Sequence, residues 1–346
     1  MSVIADDVDA EASSQGPKGR GAPNGDRKQK MQTGWASWLL APTLILLAVV
    51  IGYPVVSAVV MSFEQNPGLD ANGFFQAGGF AGFQNYVSWV LQQCPAPGGG
   101  FQDFAPGQLG AQSWSAMGNT FFFTVITVAL ETVVGFWMAL IMARTFKGRD
   151  LVRAAVLVPW AIPTAVTAKL FFFMFAFDGV INKIFGTQIL WTGSEWPSKW
   201  AIIMADTWKT TPFMALLILA GLQMIPAEVY EAAKVDGANA WQRFRMITLP
   251  MVKPALMVAI LFRTLDALRM YDLPAILTGG ANNTDTLSTL VVEQIRQGQN
   301  LASALSTITF IVVFLVAFIF IRFLGANAVQ SSGLDKEAKK VKVGAA

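Results

Sequence analysis

The sequence predicts an all-α polytopic membrane protein with six transmembrane helices, on three observations. Of its 346 residues, 54% are hydrophobic and only 14% are charged, whereas soluble domains carry about 25% charged residues. Six apolar stretches approach or exceed the roughly 20 residues that a helix needs to cross a bilayer. Lysine and arginine collect in alternate connections, the asymmetry that sets orientation in a membrane.

The elements follow in chain order. Residues 1–34 are rich in Gly, Ser, Asp and Lys. They read as a disordered cytoplasmic tail and not as a secretory signal, because no apolar core begins near Met1. The transmembrane domain is expected over 35–325, with spans at Trp38–Phe63, Met117–Ala143, Ala154–Phe177, Trp200–Gln223, Met251–Leu277 and Ala302–Leu324. Trp35, Trp38, Trp114 and Trp200 sit near span ends, where aromatic rings anchor at the interface. Segment 64–116 has no lysine or arginine, and 278–301 has only Arg296. Connection 144–153 carries Arg144, Lys147, Arg149 and Arg153, and 224–250 carries Lys234, Arg243 and Arg245. Both tails (1–34 and 326–346) and these two basic connections are therefore expected in the cytoplasm of a bacterial-type plasma membrane.

Charged residues inside spans cost roughly 2.5–3.5 kcal/mol each on insertion scales and mark functional candidates. Span five holds Arg263, Asp266, Arg269 and Asp272 at intervals of three, a spacing that allows i,i+3 pairs along one helix. Asp206 and Lys209 repeat that spacing in span four. One reading is a polar lining for a hydroxyl-rich solute, with Trp208 and Tyr271 offering faces that a sugar ring could cover. The other is that these charges neutralise one another and pin the helices. Glu131 and Lys169 stand alone in sequence and read as structural, pairing across helices or snorkelling. The phenylalanine runs 121–123 and 171–173 read as lipid- or core-facing bulk.

Several chemistries are excluded. With no histidine and Cys94 alone, the chain can form no internal disulfide, no Ser/His or Cys/His pair and no His or multi-Cys metal site. No stretch fits the phosphate-cradling pattern G-x4-G-K-[ST], so nucleotide chemistry needs another chain. The net charge of +3 is spread over short blocks rather than one stripe, against a nucleic-acid surface. No catalytic residue and no metal ligand is assigned.

One polar stretch interrupts the apolar pattern: VYEAAKVDGANAWQRFRMITLPMVKP, residues 229–254. Pro226 is placed to open a helix. Glu228 and Glu231 fall where its dipole favours anions. Gly237 can take the left-handed conformation that ends it. A second helix is expected over Asn239–Leu249, stopping at Pro250. On pattern alone this is an amphipathic connector at the lipid surface.

The residues carry more. Glu231, Ala232, Ala233, Gly237, Ile247, Leu249 and Pro250 fit EAA-x3-G-x9-I-x-LP, which resembles the cytoplasmic signature of ABC importer permeases. GFQNY (82–86) and LTGG (277–280) look like the maltose-type sugar branch. WKTTPFMALLILAGL (208–222) and LFRTLDALRMYD (261–272) resemble the permeases of mycobacterial-type trehalose importers. The resemblance covers about 35–325 and implies a type I importer core whose coupling helix docks in a groove of an ATPase subunit. It implies that Glu231, Ala232, Ala233, Asp236, Gly237, Leu249 and Pro250 make that coupling. It further implies a second, different permease, an ATPase dimer that holds ATP and magnesium, and an extracytoplasmic sugar-binding protein. The expected function is then non-enzymatic: translocation of a di- or oligosaccharide such as trehalose or maltose, with no cofactor in this chain. Segment 64–116, with CPAPGGGFQDFAPG, departs from the family by its length, and so does the first tail.

A secondary transporter using Asp266 and Asp272 as ion sites is the rival, but it should show interrupted helices in two related halves, and no inverted repeat is visible. An ion channel should show a repeated selectivity loop, and none is evident.

Overall fold

The computed structural model describes residues 39–69, 75–96 and 100–322. Both tails, with Trp35 and Trp38, lie outside the described residues. The chain divides into two units at Val56 and Ser57.

The first unit contributes residues 39–56 of helix α1 (Leu39–Met61). This stretch carries no charged residue, and none of it is buried. A π-turn occupies Ala48–Gly52, with the Tyr53 N–H bonded to the Ala48 carbonyl. Pro54 follows at once. A proline ring clashes with the carbonyl four residues back and offers no N–H. Widening the preceding turn moves that carbonyl aside.

The second unit holds the remaining elements. Outside the spans lie α2 (Gln84–Leu91) and two short antiparallel pairs. In these, β1 (Gly68–Leu69) faces β2 (Phe75–Gln76), and β3 (Gln93–Pro95) faces β4 (Phe101–Asp103). The Trp89 indole donates to the Leu301 carbonyl at 2.8 Å, which ties α2 to the last span. The bundle is α3 (Ser113–Ala143), α4 (Arg149–Ala161), α5 (Thr164–Met174), the short α6 (Val180–Phe185), α7 (Glu195–Gln223), α8 (Ala227–Val235), α9 (Ala240–Ala267), α10 (Leu287–Ile295) and α11 (Gln299–Phe320).

Helix α7 is the hub of this unit. One half packs Ala201, Ile202 and Ala205 against Phe123, Phe171 and Leu273, and the other packs Met214, Ile218 and Leu222 against Phe136, Met142 and Val252. In lipid, hydrophobicity does not drive helices together, so close backbone approach carries the association. Two glycines permit it. A Cβ on Gly135 would sit 3.0 Å from Met214 Cβ, and one on Gly221 would overlap Ala255 Cβ.

Three expectations need correction. The third span is not one helix over Ala154–Phe177. It is α4 and α5, bent by 90° at Ile162–Pro163. Ile162 is extended, with ψ 131°, because the residue before a proline is pushed out of the helical region. The fifth span does not run Met251–Leu277. Its helix starts earlier, at Ala240 in the polar hairpin, and ends at Ala267, leaving a break before the π-turn Pro274–Thr278. The helix expected to stop at Pro250 instead passes through it. The π-turn Phe244–Thr248 bonds the Leu249 N–H to the Phe244 carbonyl, the same relief that α1 uses before Pro54.

Candidate functional site

Two of the breaks meet at one cavity of about 290 Å³, lined by Trp160, Thr164, Asp206, Lys209, Thr210, Arg263, Asp266, Arg269, Met270, Tyr271, Asp272 and Leu273. Trp160 ends α4 and Thr164 begins α5. Asp206, Lys209 and Thr210 lie at i, i+3 and i+4 on α7, hence on one face. Arg263 and Asp266 occupy the last turn of α9, and Arg269–Leu273 form the broken chain beyond it. Non-helical backbone at membrane depth persists only where it is buried in protein or lines a water-filled cavity. The breaks and the cavity therefore belong together.

Arg263 is the electrostatic centre. Its Nε donates to Glu131 Oε2 at 2.5 Å, its Nη2 to Glu131 Oε1 at 3.0 Å and to Asp206 Oδ2, and its Nη1 to Asp266 Oδ2 at 2.8 Å. Thr210 Oγ1 stands 2.5 Å from Glu131 Oε1 and 2.6 Å from the Asp206 carbonyl. Glu131 is fully buried and Arg263 is 2% exposed, while the Asp266 side chain is 69% exposed. One guanidinium thus ties α3, α7 and α9 together and presents a carboxylate to the cavity. Among the described residues Lys209, Arg269 and Asp272 form no ion pair within 4.0 Å. All three line the cavity.

The expected residues are thus largely assembled, with corrections. Seven of the eight line the cavity, and Trp208 does not. It stands edge-on to Phe171, with ring centroids 5.5 Å apart. The pair expected between Asp206 and Lys209 is replaced by Asp206 to Arg263. Of the expected ladder in span five only Arg263–Asp266 forms, because the helix ends before Arg269. Glu131, read as standing alone, is a member of the cluster. Lys169 is exposed, with its ammonium 5.5 Å from the Phe172 ring centroid. Trp160, Thr164 and Thr210 were not anticipated. The prolines at 159 and 163 were the available signal for the first two.

The polar hairpin is built from local bonds. Gly237 has φ +78°. The Ala238 N–H reaches the Ala233 carbonyl at 2.9 Å and the Gly237 N–H the Lys234 carbonyl at 3.1 Å, the two bonds of a Schellman ending. Asn239 and Gln242 cap the next helix reciprocally, at 2.8 and 2.9 Å. Arg243 Nη1 donates to the Ala238 carbonyl at 2.6 Å. Tyr230 and Thr248 hydroxyls share a bond of 2.9 Å, joining α8 to the π-turn of α9. Glu231, Ala232, Asp236, Gly237, Leu249 and Pro250 are exposed, and Ala233 is half-buried.

Known proteins place this architecture. The chain is 37% identical over 296 residues to the trehalose transport system permease protein SugA of Mycobacterium tuberculosis, covering 85% of this chain and 89% of that one. It is 41% identical over 217 residues to the trehalose/maltose transport system permease protein MalF of Thermococcus litoralis, covering 60% of this chain and 74% of that one. The fold matches a bacterial ABC transporter involved in the import of the acidic polysaccharide alginate. The TM-score is 0.67 at 21% identity, over 89% of this chain and 99% of that one. Residues 131–330 match the family model of the binding-protein-dependent transport system inner membrane component. That segment contains both the cavity and the hairpin, and the chain belongs to this family of membrane-spanning transport components.

Proposed function

We propose that this chain is one permease subunit of an ATP-driven importer of a neutral di- or oligosaccharide, an α-glucoside of the trehalose or maltose type. The observation that carries the reading is the convergence of unpaired Lys209, Arg269 and Asp272 with half-paired Asp266 at two helix breaks. Sugar hydroxyls both donate and accept, so a lining of mixed charge can bond them on several sides, and Tyr271 and Trp160 offer apolar ring faces. About 290 Å³ is at the lower end of ligand pockets, which run roughly 300–1,000 Å³. A second, different permease completes the path in this reading. The names of the two sugar-permease relatives support the substrate class.

The energy comes from a partner ATPase dimer that holds ATP and magnesium. The hairpin 224–250 docks into its groove, a helix-in-groove contact, with Glu231 as polar contact and Gly237 as turn. An extracytoplasmic binding protein delivers the sugar. Both tails and the connections 144–153 and 224–250 lie in the cytoplasm. ATP binding draws the docked hairpins together, and hydrolysis resets them, a population shift between two states. Helix α9 runs unbroken from the hairpin to the cavity, so its displacement reaches Arg263 and Asp266 directly.

The test is uptake by the complete complex in proteoliposomes against a panel of disaccharides. Asp266→Asn or Arg269→Gln is expected to lower uptake about tenfold, the scale of one hydrogen bond to a charged group, while Lys169→Gln stays near wild type. Equal uptake by all three assembled variants would return the cavity charges to a packing role.

A further inference from the structure

We propose that Thr286 is a positioning residue for transport, whose hydroxyl holds the broken end of α9 in the shape that contacts the sugar. This inference rests on the cavity reading above and adds a part of the molecule that the reading does not use.

Thr286 lies in the loop between the π-turn Pro274–Thr278 and α10, and it is 1% exposed. Its Oγ1 donates to the Met270 carbonyl at 2.8 Å. Met270 lines the cavity in the middle of the break. The neighbouring backbone is satisfied locally: the Ala267 carbonyl accepts from the Met270 N–H at 3.1 Å and the Tyr271 carbonyl from the Ala275 N–H at 3.1 Å. Met270 lies between these turns, and its carbonyl takes its bond from a residue sixteen positions on. Without that donor, a buried carbonyl must find water or a donor in the cavity. Its peptide also carries Tyr271, so the lining would turn with it.

The loop is built to keep Thr286 in place. Gly279, Gly280, Asn282 and Asn283 all have positive φ. The buried Asn119 of α3 donates through Nδ2 to the carbonyls of Asn283 and Asp285, both at 3.0 Å. The Leu287 N–H donates to Thr120 Oγ1 at 2.9 Å. Asn282 Nδ2 reaches the Thr192 carbonyl at 2.8 Å, and Asn283 Nδ2 reaches Glu195 Oε1 at 2.7 Å. Helix α3 and the start of α7 thus grip the loop, and the loop grips the cavity wall.

Thr286 also caps α10, since its Oγ1 accepts from the Thr289 N–H at 3.3 Å and its N–H donates to Thr289 Oγ1 at 2.8 Å. The experiment must separate the cap from the clasp. The readout is sugar transported per ATP hydrolysed by the complete complex in proteoliposomes, a ratio that does not change when less complex assembles. Thr286→Val should lower it about fivefold, the worth of one hydrogen bond with margin. Thr286→Ser keeps the hydroxyl and should restore the ratio. Thr289→Val removes only the returning half of the cap, the Thr286 N–H bond to Thr289 Oγ1, without touching Met270, and should leave the ratio near wild type. An unchanged ratio in Thr286→Val, or an equal loss in Thr289→Val, overturns the proposal. Asp266→Asn runs alongside. If it lowers the ratio and Thr286→Val does not, the clasp alone falls. If neither does, the cavity reading falls with it.

Discussion

At its first turn helix α9 is exposed and satisfies its own hydrogen bonds, whereas at its last turn all but Asp266 is buried or half-buried and the helix leans on its neighbours. The Schellman ending at Gly237, the Asn239–Gln242 box and the Arg243 bond all lie within eleven consecutive residues, 233–243. Beyond Thr248 the pattern reverses. Arg263 is held by Glu131 of α3 and Asp206 of α7, and Met270 by Thr286. A surface made for another chain has to be complete before that chain arrives. A cavity wall gains its shape from its neighbours. Changes at the first end should therefore cost docking more than stability, and changes at the last end should cost stability.

The largest effect is expected at the last end. Arg263→Met leaves Glu131 buried without its cation, and removing one member of a buried ion pair costs about 3–5 kcal/mol. Thermal unfolding in detergent should show a large fall in midpoint, with transport lost. A midpoint equal to wild type would mean that the three carboxylates do not depend on Arg263.

Next comes the first end. Gly237→Val places a β-branched residue at φ +78°, and left-handed backbone costs an L-residue roughly 1–2 kcal/mol. Nothing stands within 4 Å of the added Cβ, so the penalty is backbone strain and not collision. ATPase retention on the purified complex should fall about tenfold, and Glu231→Ala should weaken it too, with the unfolding midpoint of Gly237→Val lower by only a few degrees and that of Glu231→Ala nearly unchanged. Gly237→Asn should retain far more, because asparagine tolerates this conformation. Full retention and full sugar-stimulated turnover in both Gly237→Val and Glu231→Ala would reduce the hairpin to a surface connector.

The smallest effect sharpens the contrast. In the loop that follows α9, burial and then the neighbouring Glu293 push the Asp285 carboxyl up to about 6, from its ordinary 3.8. The folded chain therefore holds a proton that the unfolded chain releases. Its contribution is complete below the ordinary value and is lost as pH rises through about 6. The unfolding midpoint should drop over that window by a few degrees at most once solvent screening is allowed for, and Asp285→Asn should flatten the drop. An identical pH profile in the variant would remove Asp285 from the account.

What the sequence disclosed follows from how local each feature is. Apolar length and the spacing around Glu231 and Gly237 are local, so the spans and the hairpin were legible. Trp208 was misplaced although Asp206 and Lys209 were not. Two residues along a helix turn it about 200°, so Trp208 faces away from Asp206. Glu131 pairs across helices as its lone charge suggested, but its partner could not be named, because Arg263 is 132 positions distant, a separation no window can span. The bend at Pro163 was written in the sequence, with Pro159 and Pro163 four apart, but unbroken apolarity concealed it. The stop expected at Pro250 failed because a π-turn can absorb a proline that an α-turn cannot.

The bend between α4 and α5 has a consequence for how the protein is made. Thirteen and eleven residues of helix measure about 20 and 16 Å at 1.5 Å per residue. Each falls short of the roughly 30 Å hydrocarbon layer. Neither leg can act as an independent insertion signal, and at a right angle they leave a peptide corner that lipid cannot solvate. Both legs pack on α7, which is synthesised after them. The third span is therefore expected to enter the bilayer together with the fourth. Truncation before Glu195 should leave the first half of the chain with α4 and α5 stranded at the membrane surface, open to added protease.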